Sequence, residues 1–311
     1  MEIFQLSASR PNEGTQTEPN VTAVGFFDGI HLGHQQVIRE AKEEAEKRGL
    51  KSAVMTFDPH PSVVLKKNKQ HARYITPLEE KQQILEEMGI DYLYIVHFDK
   101  ELASLSPQQF VDNFFGELQV KHVVAGFDFS YGHKGQGSMT TLSEHAKGRF
   151  THTVVEKVED QDYKISSTRI RNLLEEGDVG EARKLLGRPF KVSGLAGKNG
   201  QGNWTDSPSA SLELSEDYFL PKSGVYTVSV KYKERYLHGW AVLDRQAALQ
   251  EQHTSCLAVF LLDFNEKIYE AALDIYFYEF IREEKKCSST SEWNFQLEKD
   301  ESAVRHFFKK N

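Results

Sequence analysis

Two histidines flank a glycine in "GFFDGIHLGH", Gly25 to His34, directly after the apolar run Val21 to Val24. Three chemistries compete for His31 and His34. With His60 of "FDPHP" they could form a zinc site, although the spacing is poor for one helical face and no acidic partner is obvious. They could be loop histidines satisfied by local hydrogen bonds. Or they could serve a phosphate. Gly33 lets the backbone come close, the following helix offers N–H groups and a favourable dipole, and imidazole donors can stabilise oxyanions on a phosphoryl group.

A second anion-directed feature is "KISSTRIRNLLEEGD". Ser166, Ser167 or Thr168 can cap a helix there, which puts Arg169 and Arg171 in its first turn and Glu175 and Glu176 near its end. That order opposes the helix dipole and costs ~0.3–1 kcal/mol per misplaced charge. A merely solvated face has no need of it. An anion at the N-terminus does, because guanidinium pairs well with phosphate oxygens.

Periodicity supplies the elements that must position these groups. "VTAVGFF", "KSAVMTF", "YLYIVHF", "HVVAGFDF" and "THTVVEKV" read as strands. Between the first two, Val37, Ile38, Ala41 and Ala45 recur at helical spacing, with Gly49 as the stop. "TPLEEKQQILEEMG" opens with Thr76 as N-cap, Pro77 as first helical residue and Glu79 at the capping-box position. Strands alternating with such helices predict an α/β domain with a parallel, doubly wound sheet. Loops that follow the strands then share one carboxyl edge, where ligands bind. His31, His34, His60 and Asp128 would face one crevice there, with Phe127, Phe129 and Tyr131 of "GFDFSYGHKGQG". Core packing is the alternative for the aromatics. At a solvent-facing edge, replacing either histidine is expected to change folding little.

The pattern changes after about Gly187. "RNLLEEGDVGEARKLLG" reads as two short helices, and "RPFKVSGLAGKNGQGNWTDSPSAS" is a stretch rich in Gly, Ser and Asn. "GVYTVSVKY", "YLHGWAVL", "CLAVFLLDF" and "AALDIYFYEFI" then predict a small β-barrel or sandwich. The last segment has a helical apolar pattern at Phe295, Val304 and Phe307.

A length of 311 residues favours two domains. A net charge of −8 gives no long-range attraction to nucleic acid or to an anionic membrane. Two cysteines, Cys256 and Cys287, make neither a disulfide framework nor a cysteine zinc site. The first residues lack a basic start followed by an apolar core, and no apolar run approaches the roughly 20 residues of a membrane span. A cytoplasmic protein with no membrane or nucleic-acid partner is expected.

With these segments in view, the chain resembles the bacterial bifunctional riboflavin kinase/FAD synthetase family. "GFFDGIHLGH", "FDPHP", "GFDFSYGHKGQG" and "ISSTRIR" are similar to its adenylyltransferase motifs, in order, from about Val21 to Phe190. The HxGH element is shared with the wider nucleotidyltransferase superfamily; "GFDFSYG" and "FDPHP" point to flavin. The resemblance implies a Rossmann-like nucleotidyltransferase domain over residues 1–186 and a riboflavin-kinase-like β-barrel with a terminal helix over 187–311. It implies transfer of AMP from ATP to FMN, giving FAD and pyrophosphate, with Mg2+ arriving on ATP and no metal held by protein ligands. It assigns His31, His34 and Arg171 to catalysis. Gly25, Phe26, Phe27, Asp28, Gly33, Ser167 and Thr168 would bind ATP, and His60, Asp128 and Phe129 would bind FMN.

The second half resembles the family's kinase module in outline, in "LGRPF", "LPKSGVYTV" and "LLDFNEKIY". The family's Pro-Thr-Ala-Asn, whose Thr and Asn serve the magnesium nucleotide, is matched by a stretch with Ser209 and Ser211 at those places. Its Asn-Ile-Gly…Pro-Thr-Phe stretch is matched by "VLDRQAAL", and its glutamate base falls on Ala258. The expectation is an FMN adenylyltransferase whose kinase activity is lost. Its barrel would be kept for stability, homo-oligomer contacts or flavin sensing. A bifunctional enzyme and a non-catalytic flavin- or nucleotide-binding regulator are the alternatives.

Overall fold

The computed structural model describes residues 1–9, 16–65, 72–197, 209–245, 257–266, 268, 270–285 and 289–310. They divide into two compact units, Met1–Ser166 and Ser167–Asn311. Parts of the kinase-like stretches, residues 202–208 and 246–249, lie outside the described residues.

The first unit is built on a parallel sheet of β1 (Glu2–Leu6), β2 (Asn20–Val24), β3 (Lys51–Asp58), β4 (Tyr92–His97), β5 (Val120–Gly126) and β8 (Thr151–Val155). Two short antiparallel hairpins follow β5 and β8: β6 (Ser130–Tyr131) with β7 (Gly137–Ser138), and β9 (Glu159–Asp160) with β10 (Tyr163–Lys164). The strand order is β1-β4-β3-β2-β5-β8, and every neighbouring pair runs parallel. Alternate residues serve opposite faces: Ala53 and Met55 enter one core cluster and Val54 the other, as a doubly covered sheet requires. Helix α1 (Leu32–Arg48) covers the second cluster with Val37, Ile38, Ala41 and Ala45, and Gly49 closes it at φ 64°.

All five predicted strands are present. The edge strand β1 was not anticipated; it is five residues long and only Leu6 of it is fully buried. Helices α2 (Pro61–Leu65), α3 (Leu78–Glu87), α4 (Lys100–Ser104), α5 (Pro107–Phe110) and α6 (Leu142–Ala146) follow α1, and the start of α3 also differs from expectation. Its N-cap is Pro77, which has no side-chain oxygen to offer, and Thr76 stands one residue earlier with its N–H donating to the carboxylate of Asp28.

In the second unit, helices α7 (Ser167–Glu176) and α8 (Val179–Leu186) lead into a closed antiparallel barrel, not a sandwich. Its strands are β11 (Phe190–Ala196), β12 (Ser209–Leu214), β13 (Gly224–Tyr232), β14 (Arg235–Leu243), β15 (Leu257–Leu261) and β16 (Ala272–Arg282), ordered β11-β12-β15-β14-β13-β16. Strands β11 and β12 lie where the sequence reads only as rich in Gly, Ser and Asn. Gly194 shows why: a Cβ there would stand 2.4 Å from the Glu213 carbonyl oxygen, so this glycine marks close strand approach and not a turn.

The C-terminal helix, Thr290–Lys310, buries Leu297 and Val304 with Val225, Trp240, Ala258 and Phe260 of the barrel. Phe307 is half-buried as expected, but Phe295 is 58% exposed and leaves the core to Leu297. The buried Asp300 receives a two-pronged contact from Arg282 at 2.8 and 2.6 Å. Among the described residues no helix is long and apolar enough to cross a membrane.

Candidate active site

Strands β2 and β5 are neighbours, and the chain leaves them in opposite directions, from β2 to β3 and from β5 to β8. This switch point opens a crevice at the carboxyl edge, and the loops after β2, β3 and β5 all end there. "GFFDGIH", "FDPHP" and "GFDFSYG" are those loops.

The β2 loop is held tightly. The Gly25 N–H donates to the Met55 carbonyl at 3.1 Å, and Phe27, Gly29 and Ile30 adopt positive φ of 51°, 89° and 36°. Left-handed backbone is costly for a bulky and a β-branched residue. Both side chains are buried in the cluster under α1, which holds them there. Asp28, 2% exposed, accepts hydrogen bonds from the N–H groups of Ile75 and Thr76 at 2.9 and 3.2 Å. Phe27 and Asp28 therefore have main-chain atoms, not side chains, to offer a nucleotide.

His31 is the N-cap of α1. Its Nδ1 accepts the His34 N–H at 3.3 Å, which leaves Nε2 to carry the ring proton as a neutral donor. The ring is 4% exposed and stacks on His34 at 3.6 Å with 21° between planes; His34 in turn meets the edge of Phe27 at 5.3 Å. A Cβ at position 33 would lie 3.2 Å from His31 Nδ1 and Cε1, so Gly33 makes room for the ring. At 4% exposure and as the cap of α1, His31 does not have the solvent-facing position expected of it.

In the β3 loop the His60 Nδ1 accepts the Ser62 N–H at 3.0 Å and its ring stands edge-on to Phe26 at 4.3 Å. The His60 N–H donates to the Tyr74 hydroxyl at 3.1 Å. Phe26 and His60 are thus brought together. In the β5 loop Asp128 pairs closely with Lys164, whose Nζ lies 4.6 Å from the Phe127 ring centre. Phe127 is exposed, whereas Phe129 stacks on Tyr131 at 5.8 Å and packs half-buried on the core. The aromatics divide between surface and core.

Ser167, Thr168 and Arg171 stand on α7 in the second unit. The helix begins at Ser167, so Arg171 is its fifth residue, one place beyond the first turn. Its guanidinium lies 5.4 Å from the Phe219 ring centre; Arg245 approaches the same ring at 5.2 Å and pairs with Glu175 at 3.1 Å.

Lys81 of α3 and Thr56 of β3, which both bond the Phe26 carbonyl of the β2 loop, were missed from sequence. Lys81 is 3% exposed, and its Nζ donates to the Phe26 carbonyl at 2.8 Å and to Thr56 Oγ1 at 3.0 Å. The available signal was its place in the apolar stripe of α3 with Leu78 and Leu85, three residues after one and four before the other. Among the described residues no group of three or more His, Cys, Asp or Glu side chains is arranged to hold a metal.

In the barrel, the register sets Ser211 of β12 beside Ala258 of β15 and Ala258 beside Val242 of β14. The three kinase-like stretches singled out in the sequence therefore meet in one row. Ala258 is buried among Trp240, Val242, Phe260, Leu297 and Val304.

Residues 13–169 match the family model for FAD synthetase, and residues 186–308 match that for riboflavin kinase. Curated relatives described as bifunctional riboflavin kinase/FMN adenylyltransferase include that of Listeria monocytogenes, 44% identical over 93% of each chain. Another, from Bacillus subtilis, is 42% identical over 93% of this chain and 92% of its own. A crystal structure described as a macrolide-efflux protein from Streptococcus pneumoniae superposes with a TM-score of 0.87 at 30% identity, covering 98% of this chain and 99% of that one.

Proposed function

The chain belongs to the bifunctional riboflavin kinase/FMN adenylyltransferase family, and from that premise we propose that it transfers AMP from ATP to FMN while its barrel no longer phosphorylates riboflavin. A phosphate oxygen of FMN attacks the α-phosphorus of ATP. The new P–O bond forms as the bond to the β-phosphate oxygen breaks, and pyrophosphate leaves with the electron pair. No covalent enzyme intermediate is needed; orientation of two anions and neutralisation of charge suffice.

The observation that carries this reading is the His31–His34 stack at the switch point, with a neutral Nε2–H donor at the start of a 17-residue helix. A fixed donor beside a helix N-terminus suits charge that develops on phosphate oxygens. Gly25, Phe26, Phe27, Asp28 and Gly33 line the nucleotide end, Phe27 and Asp28 through the main chain. His60, Asp128 and Phe129 serve the flavin end. Ser167, Thr168 and Arg171, at the start of α7 in the second compact unit, are phosphate-binding groups by the family resemblance. ATP arrives as its magnesium complex, and its use places the reaction in the cytoplasm.

Loss of kinase chemistry rests on Ala258. Where a ribityl hydroxyl would need a general base, the barrel presents a methyl group in an apolar cluster, beside Ser211. Losing such a base commonly costs about 10²–10⁴-fold. The bifunctional reading is favoured by similarity along the whole length of relatives that carry both names. Incubating the purified protein with magnesium ATP and either FMN or riboflavin, then separating the flavins by chromatography, decides. FAD from FMN and no FMN from riboflavin is the expected outcome; absence of FAD removes the proposal, and FMN formed as fast as FAD restores the bifunctional reading.

A further inference from the structure

Lys81 is a buried cation that the mechanism above does not use. Its Nζ and Thr56 Oγ1 both donate to one acceptor, the Phe26 carbonyl, at 2.8 and 2.9 Å, while the hydroxyl itself accepts from Lys81 at 3.0 Å. The ammonium also lies 4.9 Å from the centre of the Phe26 ring. Phe26 immediately precedes the turn that delivers His31, in which Phe27, Gly29 and Ile30 have positive φ. Backbone of that kind persists only where its surroundings over-determine it. Asp28 pins the far side of the same turn to residues 75 and 76, three residues before α3 begins to carry Lys81 inward.

We propose that Lys81 is a positioning residue for adenylyl transfer: through the Phe26 carbonyl it fixes the turn that sets His31 and His34 against the nucleotide phosphates. This rests on the adenylyl-transfer reading but concerns a residue that touches no substrate. Burial draws the ammonium down to about 8, and the carboxylates of Asp28 and Asp58 act against that fall. The clamp is charged at neutral pH and discharges in mildly alkaline solution.

Lys81→Met keeps the length and volume of the side chain and leaves the Phe26 carbonyl bonded to Thr56. It is expected to fold, to lower kcat about 10²-fold as for a ~1 Å misplacement of catalytic groups, and to leave KM for FMN unchanged. In the unmodified protein kcat should fall as pH rises through about 8; Lys81→Met should lack that limb, and Lys81→Arg should recover part of the activity and carry the limb upward. A readout free of activity is the imidazole Cε1–H resonances of the protein without ligand. Those of His31 and His34 should move in Lys81→Met, while that of His122, near the amino end of β5, should not. If Lys81→Met does not fold, Thr56→Val gives the same test with a smaller effect. Unmoved His31 and His34 resonances together with an unchanged pH profile overturn the positioning role. An unmodified protein that makes no FAD overturns the adenylyl-transfer reading instead, and the resonances still judge Lys81.

Discussion

His31 closes the first turn of α1 and presents a ring N–H at the same time, so alanine there removes two things at once. His31→Ala should lower kcat for FAD by about 10²–10³-fold, the cost of a lost oxyanion donor. It should also lower stability by about 1 kcal/mol, as lost caps do. Asparagine separates the two, because it is among the best N-caps but places no imidazole. His31→Asn should melt close to the unmodified protein and remain as slow as the alanine variant; a fast His31→Asn enzyme would deny the ring its role. His34→Ala should be slow with little change in melting. In the barrel, Ala258→Glu should fail to produce FMN from riboflavin and should melt lower, since it buries a carboxylate among Trp240, Phe260, Leu297 and Val304. Riboflavin phosphorylation by that variant would show the nucleotide-binding side of the barrel to be intact.

Neighbouring strands of the first unit are tied by a histidine that takes no part in chemistry. His122 of β5 places Nδ1 2.7 Å from Thr151 Oγ1 and Nε2 3.0 Å from Thr153 Oγ1, both on β8. Burial, aided by the charge of Arg48, pulls it down to about 4 from an ordinary 6.5. The unfolded chain thus binds a proton that the folded chain refuses between those two values, and stability rises with pH across that window. It is fully present above about 6.5 and lost as pH falls toward 4. Melting temperature should drop over that range, and His122→Gln should flatten the drop; an equal slope in both proteins would assign it to other groups. Strands β2 to β5 were visible because each is apolar and largely buried, and the edge strand β8 through its β-branched Thr151, Thr153, Val154 and Val155, whereas β11 hides its alternation behind Gly194. Thr76 stands one residue before the cap, its N–H bonded to Asp28, 48 residues away, a contact that no local pattern contains. Lys81 was hidden the same way, its acceptor lying on another element.

Across the whole molecule, ordered motifs were legible where the chemistry depends on main-chain turns, since Gly25, Gly33 and the histidines sit in a fixed spacing that one fold explains. The row formed by Ser211, Ala258 and Val242 was legible only as separate substitutions, and the barrel register joins them. In the second unit the apolar strands close around that row, with Ala258 buried in it. The most direct measurement follows the label of ATP. With FMN and ATP labelled at the α-phosphate, the label should pass into FAD while pyrophosphate stays unlabelled. With riboflavin and ATP labelled at the γ-phosphate, no flavin should become labelled. An unlabelled flavin pool in the first reaction, at protein and substrate concentrations where folding and solubility are verified, would contradict adenylyl transfer.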